Sequence, residues 1–245
     1  YYATHLSIDA SAETLLLEDD KDLKLTREVH GRYISPDYLV ISFSPNDYLL
    51  SDKTLETIQN LKDALLSIDG VDSMITLLDV PLLESPTRPI KELISNIQTL
   101  KSKNINKDLA QKELTSSPIY SQNLVSGDFK TTAMIVNLKD DDRYTQLLNA
   151  RNEFMQKAKE RVLTKEEEQQ YEVVKNEFKS YRDISREKTH HLIENVRATL
   201  NPYRTQGELF LGGVMMVADD MISFVKGDIA IYGTAILVIM ILMLW

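Results

Sequence analysis

Two aspartates, Asp219 and Asp220, stand side by side a few residues ahead of the most apolar stretch of a 245-residue chain. Adjacent carboxylates can bind a cation or respond to protons. The same pair also fits the polar face of an amphipathic helix, opposite Met216, Met221 and Phe224. The apolar face of that helix carries Val214, Met215, Val217, Met221, Ile222 and Phe224. Methionine adapts to varied apolar shapes, so Met215, Met216, Met221 and Phe224 suit either a substrate path near a bilayer or ordinary packing. His190 and His191 are the other neighbouring pair. On a helix they project about 100° apart, whereas paired metal ligands want a spacing of three or four, which points to a solvated helix surface. His5 and His30 have no partner motif. Gly212-Gly213 follows a strand pattern and precedes a helical one, but it lacks the third glycine and the lysine of phosphate-binding loops, so it reads as a strand-to-helix turn. No Gly-x-Ser-x-Gly elbow occurs. The chain has no cysteine, which excludes disulfides, thiolate metal sites and a cysteine nucleophile. No catalytic residue, cofactor or metal site is expected, and the chain does not read as an enzyme. A net charge of -9 argues against nucleic acid, which demands clustered Lys and Arg.

The elements that would carry these residues are legible from periodicity. Ile229–Trp245 has no charge, and only Tyr232 and Thr234 carry polar side chains. A span needs about 20 residues, so 229–245 reads as a transmembrane helix cut short, entered through an amphipathic connecting helix over 214–228. Lys226 is the only cation at that junction, which favours the extracytoplasmic side for the polar part. Tyr1-Tyr2 reads as the aromatic belt of an absent first membrane helix or as an arbitrary cut. An extended segment over 1–36 follows.

Between these ends, "DYLVISFSP" predicts a strand over 37–45. Leu55, Ile58, Leu61, Leu65 and Ile68 mark one helical face, with Ser51 or Asp52 as cap and Gly70 as stop. A second strand is expected over 71–80. An insertion over 81–126 opens on a proline-rich loop and holds helices over 90–101 and 106–113. A strand over 129–138 follows, then a cap at Asp140–Asp142 and a helical hairpin over 141–201. Its first arm aligns Tyr144, Leu147, Leu148, Phe154, Ala158 and Val162. Thr164 and Glu167 form a capping box that starts the second arm, which aligns Tyr171, Val174, Phe178 and Tyr181 and then runs on or restarts with Ile193, Val196 and Leu200 inward. Pro202 ends it. "GELFLGG" predicts a last strand over 207–213. The class is α+β, in the split β-α-β order of a ferredoxin-like fold with helical insertions.

"SPDYLVISFSPNDYLLSDKTLETIQNLKDALLSIDGVDSMITLLDVPLL", preceded by "LLLEDDKDL" and answered by "GELFLGGVMMVADDMISFVKGDIAIYGTAILVIMIL" at the other end, resembles the first periplasmic region of resistance-nodulation-division exporters, nearest the MMPL-like, hydrophobe-exporting branch. The resemblance covers nearly the whole chain. It implies a periplasmic porter domain over 37–213, followed by the start of the second membrane helix, at the inner membrane of a bacterial cell. Residues 1–228 would lie on the periplasmic side. The implied partners are the lipid bilayer and a hydrophobic or amphiphilic substrate, a small molecule or a lipid. The implied state is a homo-oligomer, with proton flux through later helices as the energy source. A different class shares the topology: the extracellular ligand-sensing domain of a transmembrane receptor.

Overall fold

A computed structural model describes residues 37–85 and 97–245. The expected extended segment over 1–36, and most of the expected helix over 90–101, fall outside the described residues. The chain divides into two compact units, and residues 37–211 and 212–245 are taken in turn.

The first unit is built on a four-stranded antiparallel sheet, β1 (Tyr38–Pro45), β2 (Val71–Ile75), β3 (Thr132–Leu138) and β4 (Gly207–Gly212), in the order β2-β3-β1-β4. β3 runs antiparallel to both β1 and β2, with Ile41 opposite Met134 and Ile75 opposite Ile135. β1 and β2 are therefore parallel to each other, with β3 inserted between them. Strict alternation puts Leu39, Ile41 and Phe43 on the same buried face as Met134, Val136 and Leu138. Helix α1 (Asp52–Leu66) joins β1 to β2. The Ser51 hydroxyl accepts from the Thr54 N–H at its start.

The buried face of α1 is rotated from the expected one. Ile58, Leu61 and Leu65 are buried as expected, but Thr54 and Thr57 join them while Leu55 and Ile68 are only half-buried. The threonines tolerate burial because their hydroxyls are bonded. Thr54 accepts from Ser51 at 3.0 Å. Thr57 sits 2.9 Å from the Lys53 carbonyl and within bonding reach of the Gln206 carboxamide.

β2 stops at Ile75, five residues short of the expected end. Asp79 folds the chain back, accepting from the Thr76 N–H at 3.0 Å and the Thr76 hydroxyl at 2.7 Å. The turn turns Leu77 and Leu78 into the core. The same carboxylate meets Lys62 Nζ at 2.8 Å and Lys101 Nζ at 3.0 Å. Burial pushes its pKa up, but the bonds from Lys62, Thr76 and Lys101 outweigh this and hold it at about 2. A carboxyl depressed in the folded state stabilises above its unfolded pKa of about 4, and that contribution is lost as pH falls toward the folded value. Asp79→Asn is therefore expected to lower the melting temperature at pH 7, with wild type and variant converging between about pH 4 and 2. A paired melting series across that range checks it, and a gap that stays constant to pH 2 would refute it.

β3 starts at Thr132 rather than 129, because Phe129 has left-handed backbone (φ 57) and cannot continue a strand. Its ring is buried and lies 6.3 Å from that of Tyr48. Ser126 closes the turn, its hydroxyl accepting from the Thr131 N–H at 3.0 Å. In the 81–126 insertion, residues 97–101 are not helical. The Gln98 carbonyl instead accepts from the Leu82 N–H at 2.7 Å. Helix α2 (Lys107–Ser116) is present, capped by Asn106. It buries Glu113, whose carboxylate accepts from the Leu83 and Glu84 N–H groups at 2.6 and 3.0 Å and from the Ser85 hydroxyl at 2.6 Å.

The hairpin is α3 (Asp142–Glu160) and α4 (Lys165–Leu200). The Thr164–Glu167 capping box forms as expected, with both reciprocal bonds. α4 does not restart. It is one helix of 36 residues, about 54 Å long. Its C-terminal third buries Ile193, Val196 and Leu200, and it packs against α1. The expected first-arm face holds only as far as Phe154. Ala158 is exposed and Val162 is 92 % exposed, because α3 ends at Glu160 and Val162 falls in the turn. A short 3-10 turn (Asn201–Thr205) carrying Pro202 ends α4 and leads into β4.

The second unit, in its described part, is one uninterrupted helix, α5 (Val214–Leu244), entered through Gly213. The stretches 214–228 and 229–244 are continuous in it. Gly213 sits at φ 136, ψ 153 as its N-cap, a conformation only glycine adopts freely. This is the turn expected for Gly212-Gly213.

Candidate functional site

Two features stand out among the described residues: the apolar helix α5 and the α3–α4 hairpin. α5 is long and apolar enough to cross a membrane, and its most apolar window is entirely unburied. A soluble protein hides such a surface, and lipid is the solvent that does not require it to.

The predicted site residues all lie on the first turns of α5, but they do not share one face. At 100° per residue, Met215 lies beside Asp219, and Met216 beside Asp220. Met216 is therefore not opposite the carboxylates, as its separation in sequence implied. Met215, Met216, Asp219 and Asp220 are all half-buried. Phe224, 72 % exposed, lies beside Asp220 one turn on, and Met221, 54 % exposed, falls on the other side with Val214 and Val217. The carboxylates therefore adjoin the apolar stripe of the helix through Phe224. Both carboxylates have interaction partners.

His190 is half-buried and His191 exposed, with ring centroids 6.0 Å apart. Among the described residues, no group of three metal-ligating side chains converges.

The hairpin is anchored by a residue that the sequence marked only as a cap. Asp141 caps α3, accepting from the Tyr144 N–H at 3.0 Å. It also accepts from the Tyr181 hydroxyl at 2.9 Å and the Ser185 hydroxyl at 2.9 Å, both on α4. Burial raises its pKa, but these three bonds prevail and the carboxyl ends below its usual range. Farther out, Tyr144 and Phe178 pack at 5.5 Å, the Arg151 guanidinium lies 4.5 Å over the Phe178 ring, and Phe154 meets Tyr171 at 5.9 Å. Arg143 pairs with Glu177 across the arms. Near the tip, Arg161 holds Glu167 at 2.6 Å and its pKa at about 2. In the outer arms only Leu147, Phe178 and Arg182 are buried, so this part depends on cross-arm bonds more than on a core. Asp141→Ala removes a cap and two cross-helix bonds at once. Hydrogen exchange of amides 142–180 is expected to quicken about 10- to 100-fold, the equivalent of about 1.5–3 kcal/mol for bonds to a charged acceptor. Unchanged exchange would show that the arms hold together without it.

No protein-family model, no curated protein and no solved structure matches this chain.

Proposed function

We propose that the chain is the substrate-capturing, extramembrane part of a proton-driven exporter of hydrophobic or amphiphilic molecules. In this reading it is an MMPL-like member of the resistance-nodulation-division superfamily and works as a homo-oligomer at the inner membrane of a bacterial cell. Residues 1–228 lie on the periplasmic side, the 37–213 region is a ferredoxin-like porter subdomain, and α5 opens the second membrane helix. The observation that carries the reading is the sheet order β2-β3-β1-β4. It is the order a split β-α-β subdomain requires, and its last strand passes through Gly212-Gly213 directly into an apolar helix. The exposed apolar side of α5 near Met221 and Phe224 supports substrate entry from the bilayer surface.

The test uses cells that express the full-length gene product and are loaded with a hydrophobic fluorescent dye. Efflux above the vector control that stops on adding a protonophore supports the exporter. Its absence across a panel of dyes and amphiphiles speaks against it. A sensor reading draws on the unbroken course of α5 from Val214 to Leu244, which could carry a displacement along its axis. A ligand-dependent cytoplasmic output without dye efflux would favour that reading.

A further inference from the structure

A cleft of about 570 Å³ opens in the first unit, lined by Asn60 and Ala64 of α1, Thr199 near the end of α4, and Pro202, Tyr203 and Gln206 around the 3-10 turn. The cleft is shallow and open to solvent, with Asn60 and Pro202 exposed in it. The lining contains no charged side chain, in a chain that is 27 % charged. From this cleft we infer a binding site for an uncharged saccharide.

Each wall is fixed by the fold. Asn60 and Ala64 are one turn apart on a helix whose opposite face is locked into the core. Pro202 ends α4 and sets the turn that presents Tyr203. Gln206 is tied down at three points. Its carbonyl accepts from the Asn46 N–H at 2.9 Å, its N–H donates to the Tyr203 carbonyl at 2.9 Å, and one end of its carboxamide is held by the buried Thr57 hydroxyl. The other end of that carboxamide, the Asn60 carboxamide and the Tyr203 hydroxyl have no protein partner among the described residues. The Thr199 hydroxyl donates to the Asn195 carbonyl at 2.9 Å, which leaves its lone pairs to accept.

The cleft thus offers neutral donors and acceptors from three elements beside the apolar surface of Ala64, Pro202 and Tyr203. A sugar presents the complement: hydroxyls that both donate and accept, and a C–H face that lies against an aromatic ring. An anion would find no Lys or Arg in the lining to pair with. A bare alkyl chain would strip water from two carboxamides and a phenol without replacing their bonds. The inference stands on this geometry and does not depend on the transport reading.

The test is saturation-transfer NMR on the full chain in phosphatidylcholine nanodiscs, with empty discs subtracted. The probes are maltose, octyl maltoside and, as a sugar-free control, octyl tetraethylene glycol. Transfer to the sugar-ring protons is expected. It should weaken about fivefold in Asn60→Ala and again in Tyr203→Phe, the worth of about one hydrogen bond each. Neither substituted group bonds within the fold among the described residues, so folding is not at stake. Transfer from maltose identifies a free saccharide as ligand. Transfer from octyl maltoside alone identifies the headgroup of an amphiphile. Equal transfer from the sugar-free control, no transfer from either sugar probe, or signals unchanged in the double variant would overturn the site.

Discussion

Gly207→Ala is expected to destabilise the 37–211 unit by about 3 kcal/mol. A Cβ built on Gly207 would fall 2.6 Å from Pro45 Cα and 2.8 Å from Phe43 Cε2, and closer still to the Ser44 carbonyl oxygen. Two of the three obstacles are backbone atoms, so no rotamer change relieves the clash, and β4 must move away from β1. That displacement also strains the bond from the Asn46 N–H to the Gln206 carbonyl, and with it the turn that ends α4. Overpacking a core usually costs about 1–3 kcal/mol, and an unyielding backbone contact belongs at the top of that range. Gly127→Ala is the control, since nothing lies within 4 Å of its Cβ. Chemical unfolding of the two variants in parallel checks the difference. A Gly207→Ala loss no larger than that of Gly127→Ala would mean that β4 does not lie against β1 at this point.

Ile236→Arg combined with Ile239→Arg is expected to abolish stable membrane association of the chain. Each arginine near the centre of a span costs about 3 kcal/mol of insertion. Two cost about 6 kcal/mol, which shifts the insertion equilibrium by more than a thousandfold. Both positions are more than half exposed on α5, so the substitutions disturb no packing seen in the structure. After an alkaline carbonate wash the parent chain should stay in the membrane pellet and the double variant should leave it. Asp219→Asn with Asp220→Asn should stay in the pellet, since those residues precede the apolar window. Retention of the double arginine variant would show that α5 does not cross the bilayer.

These two outcomes depend on features of unlike range, and the sequence exposes them unequally. The apolar run of α5 is a property of consecutive residues, so it was plain before any fold was known. The same holds for the Thr164–Glu167 capping box, the alternation of Leu39, Ile41 and Phe43, and the spacing of Ile58, Leu61 and Leu65. Each depends on partners within one or two turns or on a simple period. The order of strands and helices along the chain was also readable in outline, because the strand and helix periods alternate clearly.

What remained hidden depends on contacts between distant residues. β2 ends at Ile75 because Asp79 turns back on Thr76 and gathers Lys62 and Lys101, the latter 22 residues away. Thr57 is buried because it meets Gln206, 149 residues on, and no hydrophobic period marks a threonine for the core. Asp141 showed itself as a cap, but its hold on Tyr181 and Ser185 spans more than 40 residues in one case and 40 in the other. The cleft at Asn60, Tyr203 and Gln206 has no local signature at all. The residue types and their periods determined the elements, and they marked the long apolar helix at 214–244. Only the tertiary structure decided where strands stop, which polar groups are buried, and which uncharged side chains face one cleft, because each of those depends on a hydrogen bond or a steric contact between residues far apart in the chain.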